Sequence, residues 1–215
     1  PAKLALLISV LIPKPAGGDR PIGLYSGVLR VWTKFLFRKY VSPWAKLNPR
    51  AYWFGEEAKS CELCVWIQSL LAEYASAKGW DYAAMLHDLE KAYENVQHDI
   101  LIAEAKHFGF PLRVLQLAIM FYRMPRRVIL SGVATQLVVT LQTIVAGCSF
   151  ATTLLKLALM RVMDRVVKRH PHVQAAVVVD DVTLGAVSQV TGKAKCIVSD
   201  ASDTLVESLA EQKLV

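Results

Sequence analysis

The stretch AAVVVDDVTLGAV (residues 175–187) places two adjacent carboxylates, Asp180 and Asp181, in the middle of an apolar run. The apolar residues on either side favour two short β-strands, with the acidic pair at the turn between them. Neighbouring carboxylates repel each other, and an unpaired carboxylate is costly to bury. The pair therefore indicates either an ordinary solvent-exposed turn or a site at which a positive group is bound.

A third carboxylate, Asp88, lies near the end of another mostly apolar run, residues 81–89, which is typical of a buried strand. If this strand and the hairpin at residues 175–187 are neighbours in one sheet, Asp88 meets Asp180 and Asp181 at the end of that sheet. Grouped carboxylates need a counter-charge, and Mg²⁺ prefers hard oxygen ligands together with substrate phosphates. Two such ions about 3.5–4 Å apart support phosphoryl transfer, which is the functional interpretation of this acidic group.

The composition is that of a globular protein, and its charge is unevenly distributed. The 215 residues are 54% hydrophobic and 20% charged, with a net charge of +7. Residues 1–60 contain ten Lys and Arg against three Asp and Glu, whereas residues 61–215 contain fifteen of each. This basic first segment predicts a polyanionic partner such as nucleic acid, or else a solvated basic surface. The apolar run at residues 4–12 is too short to span a bilayer, so no membrane partner is expected.

Helices and short strands are mixed along the chain. Helical periodicity is found over several segments, among them residues 26–41, 56–79, 147–170 and 199–213. Together with the strand-like segments between them, this order predicts an α+β fold in which helices cover one face of an antiparallel sheet. In the first of these helices, Arg30, Lys34 and Arg38 recur every fourth residue and share one face, which suits either a phosphate backbone or solvent.

Four motifs, in order along the chain, resemble those of reverse transcriptases. LIPKPAGGDRPIGL (residues 11–24) resembles the fingers signature I-P-K-P-x-G-x-x-R-P-I. HDLEKAYENVQHDIL (87–101) is similar to the first palm motif, VAGCSFATTLLKLAL (145–159) to the second, and VVVDDV (177–182) to the third, [YF]-x-D-D. The order and spacing of the four motifs indicate a resemblance to the reverse transcriptase domain of the non-LTR retrotransposon and group II intron type.

This resemblance implies a polymerase right-hand fold, with fingers at residues 1–80 and a palm at residues 81–215 that is truncated before the thumb. The implied activity is RNA-directed DNA polymerisation with two Mg²⁺ ions, Mn²⁺ being an alternative, held by Asp88, Asp180 and Asp181 as catalytic metal ligands. The implied partners are an RNA template, a DNA primer and dNTPs. The implied location is intracellular, with access to the nucleus.

The resemblance also implies a binding site for the incoming dNTP. Lys14 and Arg20 match fingers residues that clamp the triphosphate, and Gly147 matches a position at which the backbone closely approaches template and nucleotide. Tyr93, five residues after Asp88, matches the steric gate that excludes a ribose 2′-OH. The side chains expected to contact nucleic acid are those of the basic helical face, Arg30, Lys34 and Arg38.

Several positions depart from the family pattern and keep an alternative function open. Ala146 stands where the second motif usually has Gln, and Val178 stands where the third motif usually has an aromatic residue. These departures favour a decayed, non-catalytic retroelement copy that only binds nucleic acid, whereas the intact aspartates oppose it. An RNA-templated RNA polymerase is a further alternative, against which the bulky Tyr93 argues.

Overall fold

The computed structural model describes residues 7–15, 17–56, 59–130 and 132–214. The chain divides into two compact units, each assembled from two separate segments. Unit 1 consists of Pro1–Asn48 and Tyr93–Ala158, and unit 2 of Pro49–Ala92 and Leu159–Val215. Each unit contains residues from both sides of the boundary predicted at residue 80. The assignment of fingers and palm to particular segments stays a prediction.

Strands and helices alternate irregularly along the chain. The strands are β1 (Leu7–Pro13), β2 (Asp19–Leu24), β3 (Trp53–Phe54), β4 (Asp81–Asp88), β5 (Arg126–Leu130), β6 (Val133–Ala134), β7 (Gln174–Val178) and β8 (Asp181–Ser188). The helices are α1 (Gly27–Leu36), which continues through a π-helical turn (Phe37–Val41) into α2 (Ser42–Leu47), then α3 (Cys61–Lys78), α4 (Ala92–Asn95), α5 (His98–His107), α6 (Leu112–Tyr122), α7 (Ala151–Arg169) and α8 (Lys193–Glu211). Over the described ranges, no helix combines the length and apolarity that crossing a membrane requires.

Unit 1 contains a mixed sheet with the strand order β2-β1-β5-β6. β1 and β2 form an antiparallel hairpin because Gly17 and Gly18, at φ +90° and +78°, supply the left-handed backbone of its turn. β1 also pairs in parallel with β5, so that Leu7 lies opposite Arg126. The fingers signature of the sequence therefore lies on β1, β2 and the turn between them.

Helices of unit 1 are fixed by caps and by aromatic packing. Ser26 caps α1, and its Oγ accepts a hydrogen bond from the Leu29 amide at 3.4 Å. Trp44 of α2 donates from Nε1 to the Phe108 carbonyl at 2.9 Å and packs edge-on against Phe110 at 4.9 Å between ring centroids. These contacts attach α1 and α2 to the end of α5, because both polar and apolar atoms of the indole are satisfied there.

Unit 2 contains the sheet β3-β7-β8-β4. β7, β8 and β4 are antiparallel to one another, and the two-residue β3 is parallel to β7. α8 covers one face of β4 and β8, since Asp81 Oδ2 accepts from the Ala194 amide at 2.9 Å and Ser202 Oγ lies 3.2 Å from His87 Nε2. Side chains alternate along a strand, so Asp88 lies on the opposite face from His87, away from α8.

The α+β prediction is confirmed, and α8 backs the antiparallel strands β4 and β8 of unit 2, although each of the two sheets also contains one parallel pair of strands. Two details differ from the sequence-based expectation. β3 is not indicated by the sequence, because two residues carry no periodicity. The strand at residues 81–89 was expected to be buried, but Met85 and Leu86 are exposed because β4 is the edge strand of its sheet.

Candidate active site

The three aspartates meet at one end of the sheet of unit 2. Asp88 is the last residue of β4 and lies directly opposite Asp181, the first residue of β8. Residues opposite each other on antiparallel strands have their Cβ atoms about 4.5–5.5 Å apart. The Leu89 amide also donates to the Asp180 carbonyl at 3.2 Å, which ties the end of β4 to the turn. The expected meeting of Asp88 with the acidic pair is therefore a feature of the strand register, while the catalytic role of all three stays a prediction.

The turn that carries Asp180 is short and strained. Val178 pairs with Asp181, so only Val179 and Asp180 connect β7 to β8. Val179 has φ +61°, a left-handed conformation that a β-branched side chain rarely adopts. A positive φ at the first central residue is typical of the tight turns that join antiparallel strands. The Asp180 carboxylate is thus presented by a turn whose backbone costs on the order of 1–2 kcal/mol to form.

Electrostatics link the three carboxylates. Partial burial, and then the negative charges of Asp180 and Asp88, raise the pKa of Asp181 above its usual range. Among the described residues, no three His, Cys, Asp or Glu side chains are gathered closely enough to form a ready-made metal site. The donor set nevertheless fits Mg²⁺ or Mn²⁺, because it offers only hard carboxylate oxygens whose mutual repulsion a divalent cation would relieve.

Replacing Asp181 by Asn is expected to stabilise the metal-free protein at neutral pH. The raised pKa means that the folded state binds the Asp181 proton more tightly than the unfolded state does. The ionised carboxylate therefore disfavours the fold, and this penalty disappears as the pH falls below the carboxyl range. Since the site is solvent-exposed, we expect D181N to raise Tm by about 1–3 °C at pH 7 in EDTA and by nothing near pH 3.

The matched control is D203N, which removes an exposed carboxylate on α8 in the same unit. Thermal melts at several pH values, with and without Mg²⁺, would compare the two variants. A gain in Tm at pH 7 that is equal in both variants, or a gain that survives at pH 3, would contradict the proposed repulsion between the three carboxylates.

The predicted triphosphate-binding residues lie at the turn end of the β1–β2 hairpin in unit 1. Lys14 and Arg20 are both exposed, with Lys14 in the turn and Arg20 on β2 opposite Ile12. The turn is closed by hydrogen bonds from the Lys14 amide to the Gly18 carbonyl at 2.9 Å and from the Gly17 amide to the Lys14 carbonyl at 3.0 Å. Two cations are therefore held on one short, ordered hairpin, which suits a phosphate ligand; the dNTP assignment stays a prediction.

The segment that leads to Gly147 is fixed to two other parts of unit 1. The Ile144 amide donates to the Tyr93 carbonyl at 2.7 Å, and the Gly23 amide of β2 donates to the Ala146 carbonyl at 2.9 Å. Gly147 has φ +96°, and a Cβ there would lie 2.7 Å from the Gly23 carbonyl oxygen. A glycine is thus required at 147 by the protein's own backbone, and Tyr93 and Gly147 belong to one connected structure within unit 1.

His98 contacts the same segment. The sequence places His98 in the first palm motif but does not indicate this contact. Its Nε2 donates to the Thr143 carbonyl at 2.9 Å, and its Nδ1 accepts from Arg123 Nε at 3.2 Å. Burial lowers the pKa of His98, so the ring is neutral, as one donating and one accepting nitrogen require. The carbonyl that it holds belongs to Thr143, whose φ of +108° is unusual for a β-branched residue.

The predicted nucleic-acid-binding residues form an exposed basic row on unit 1. Arg30 and Lys34 lie on α1 and Arg38 in the π-helical turn that follows, and all three are exposed. Beside this row, α1 is anchored by the buried Thr33, whose Oγ1 lies 3.3 Å from Ser149 Oγ. The row is therefore free to contact a phosphate backbone, and this role stays a prediction.

The family model of the reverse transcriptase (RNA-dependent DNA polymerase) matches residues 12–214 of the chain. The chain belongs to this family. The match includes the fingers motif from Ile12 onwards, the three palm motifs and every predicted site residue of this reverse transcriptase domain. A comparison with curated proteins gave no match.

Solved structures of telomerase from Candida tropicalis share the fold of this reverse transcriptase domain. The apo enzyme truncated from its C-terminal domain is 12% identical, with a TM-score of 0.56 over 97% of this chain and 47% of that chain. The apo enzyme is 10% identical, with a TM-score of 0.58 over 93% of this chain and 41% of that chain. The complex with a TWJ fragment of telomeric RNA is 12% identical, with a TM-score of 0.59 over 95% of this chain and 39% of that chain. The chain therefore spans less than half of the length of these structures.

Proposed function

We propose that this reverse transcriptase domain copies an RNA template into DNA as part of a retroelement of the non-LTR retrotransposon or group II intron type. The observation that carries the proposal is the strand register that places Asp88 opposite Asp181, with Asp180 at the adjoining turn. The order of the four motifs and the family match support it. An RNA partner is also supported by the similar telomerase that was solved with a fragment of telomeric RNA.

In this proposal the aspartates would hold two Mg²⁺ ions, with Mn²⁺ as a substitute. The chemistry that such ions supply when bound is stabilisation of negative charge on the attacking primer 3′-OH and on the leaving pyrophosphate. The residues of the chain itself position the reactants. The turn at Val179 orients the Asp180 carboxylate. Lys14 and Arg20 bind the triphosphate at the β1–β2 hairpin, and the basic row on α1 binds the template backbone.

The second candidate function is binding of nucleic acid without catalysis by a decayed retroelement copy. Ala146 and Val178, which depart from the family pattern, favour it. Template-dependent primer extension with dNTPs and Mg²⁺ separates the two functions. Extension on an RNA template supports the polymerase, whereas tight, salt-dependent RNA binding by a folded protein that extends no primer supports the decayed copy. For either function we propose an intracellular location with access to the nucleus.

Replacing Tyr93 by Ala is expected to reduce the preference for dNTPs over ribonucleotides by about 10–100-fold, if the ring excludes the 2′-OH. The variant keeps the Tyr93 carbonyl that accepts from the Ile144 amide, so the local backbone is preserved. The measurement is kcat/KM for dNTP and for the matching ribonucleotide on one primer–template. Y93F retains the ring and should retain the preference; unchanged selectivity in Y93A would refute the gate assignment.

A further inference from the structure

A carboxylate on α7 anchors the segment that precedes β3. Asp164 Oδ1 accepts from Arg50 Nε at 2.8 Å and from the Tyr52 hydroxyl at 2.7 Å, and its Oδ2 accepts from Arg50 Nη2 at 2.9 Å. This bidentate pair is partly buried, with the side chains of Arg50 and Asp164 22% and 37% exposed. Such geometry restricts both side chains more than a single surface ion pair would. We call Arg50, Tyr52 and Asp164 the Asp164 anchor.

The Asp164 anchor holds the whole segment from Arg50 to Phe54. The Tyr52 hydroxyl oxygen also lies 3.2 Å from the Met160 carbonyl oxygen on α7, and the Tyr52 ring is buried. Lys59 Nζ donates to the Arg50 carbonyl at 2.9 Å and to the Ala51 carbonyl at 3.2 Å. β3 has only two residues, so its own ladder is too short to fix its position. The anchor therefore contributes to the placement of β3.

β3 in turn contacts the strand that leads to the aspartate turn. The Val177 amide donates to the Tyr52 carbonyl at 2.7 Å, and Phe54 pairs with Val178. Phe54 is buried in a cluster with Cys64 and Ala176, against which Val178 packs. Val178 is the last residue of β7, and the strained Val179 and Asp180 follow it directly.

We propose that Asp164 is a positioning residue for the candidate active site. By fixing β3 it fixes the outer side of β7, while β8 fixes the inner side, so that the strained turn presents Asp180 in one orientation. This inference rests on the proposed polymerase function for its kinetic consequence. Its structural part, the coupling of Asp164 to the turn, can be measured on an inactive protein.

The experiment compares D164A with R165Q, which alters the next residue on the same helix. Arg165 Nη1 contacts Glu211 Oε2 at 2.6 Å and Ser208 Oγ at 3.3 Å on α8, so R165Q loosens α7 from α8 and leaves β3 untouched. Steady-state primer extension on RNA gives kcat and KM for dNTP, and thermal melts give Tm. Displacement of a reacting group by about 1 Å can cost about 100-fold in rate. We expect D164A to lower kcat by about 10–100-fold with KM for dNTP within about twofold, and Y52F to lower kcat less.

Backbone amide exchange supplies a readout that does not need activity. The Val177 amide reports the bond to Tyr52, and the Leu89 amide reports the bond to Asp180 in the turn. We expect both amides to exchange about tenfold faster or more in D164A and at the wild-type rate in R165Q.

The inference is overturned if the Leu89 amide exchanges at the wild-type rate in D164A. It is also overturned if D164A and R165Q lower kcat equally at equal loss of Tm, because the anchor would then act only through overall stability. A wild-type protein that extends no primer would instead refute the proposed function, and the exchange rates would still decide whether Asp164 positions the turn.

Discussion

Replacing Asp180 by Asn should reduce primer extension by about 10²–10⁴-fold while leaving the protein folded. The substitution keeps the size of the side chain but removes the charge that a divalent cation requires, and charge stabilisation of this kind contributes several kcal/mol to a transition state. The fold should tolerate the change, because Asp180 lies at a turn and its backbone carbonyl, which accepts from the Leu89 amide, is retained. The measurement is single-nucleotide extension on an RNA template with Mg²⁺.

Two further measurements make the D180N result specific. D203N removes an exposed aspartate of α8 and should extend primers at the wild-type rate. Mg²⁺ should raise the Tm of the wild type and raise that of D180N much less, since binding to the folded state alone stabilises it. Equal extension by D180N and the wild type would exclude the acidic turn as a polymerase centre. A wild type whose Tm does not respond to Mg²⁺ would favour the decayed copy.

Replacing Gly147 by Ala should destabilise the protein by about 2–4 kcal/mol and remove most of its activity. Two penalties add at this position: an L-residue at φ +96° is strained, and the new Cβ would lie 2.7 Å from the Gly23 carbonyl oxygen. A carbonyl oxygen of a paired strand cannot move aside as a flexible side chain would. The segment from Ile144 to Ala146 would therefore shift away from β2, and its bond to the Tyr93 carbonyl would be lost with it.

The control for this prediction is G109A, also in unit 1. Gly109 follows α5 with φ +65°, but a Cβ there would meet nothing within 4 Å. G109A should therefore cost only about 1 kcal/mol, the penalty for the backbone conformation alone. Urea unfolding of both variants gives the difference, which measures the close approach to Gly23. Equal destabilisation by G147A and G109A would show that the contact with β2 adds nothing.

The grouping of the three carboxylates could be predicted from the sequence, because each carboxylate is marked by the apolar residues directly next to it. Apolar runs that end at Asp88 and enclose Asp180 predict strands whose ends can meet, and the register of β4 with β8 has this form. The hairpin that carries Lys14 and Arg20 was predictable for the same reason, since its glycines and prolines exclude a helix.

The features that the sequence did not reveal depend on distant pairings or on strain. Arg50 and Asp164 are 114 residues apart, and neither lies in a motif, so nothing in the pattern connects them. β3 is too short to show a period. The β-branched side chain of Val179 disfavours a left-handed backbone, so the sequence does not predict a turn there. Val179 adopts this conformation because Val178 pairs with Asp181, which leaves only Val179 and Asp180 to form the turn.

Because unit 1 is assembled from two segments that are distant in sequence, its folding depends on the order in which the chain is synthesised. Leu7 of β1 pairs with Arg126 of β5, so the first sheet cannot be completed until the residues up to β5 have been synthesised. At about 5–20 residues per second this delay is on the order of ten seconds. During that time the β1–β2 hairpin has an unpaired edge, which is where a nascent chain can associate with another strand. The pace of translation between β2 and β5 therefore sets how long this edge is exposed.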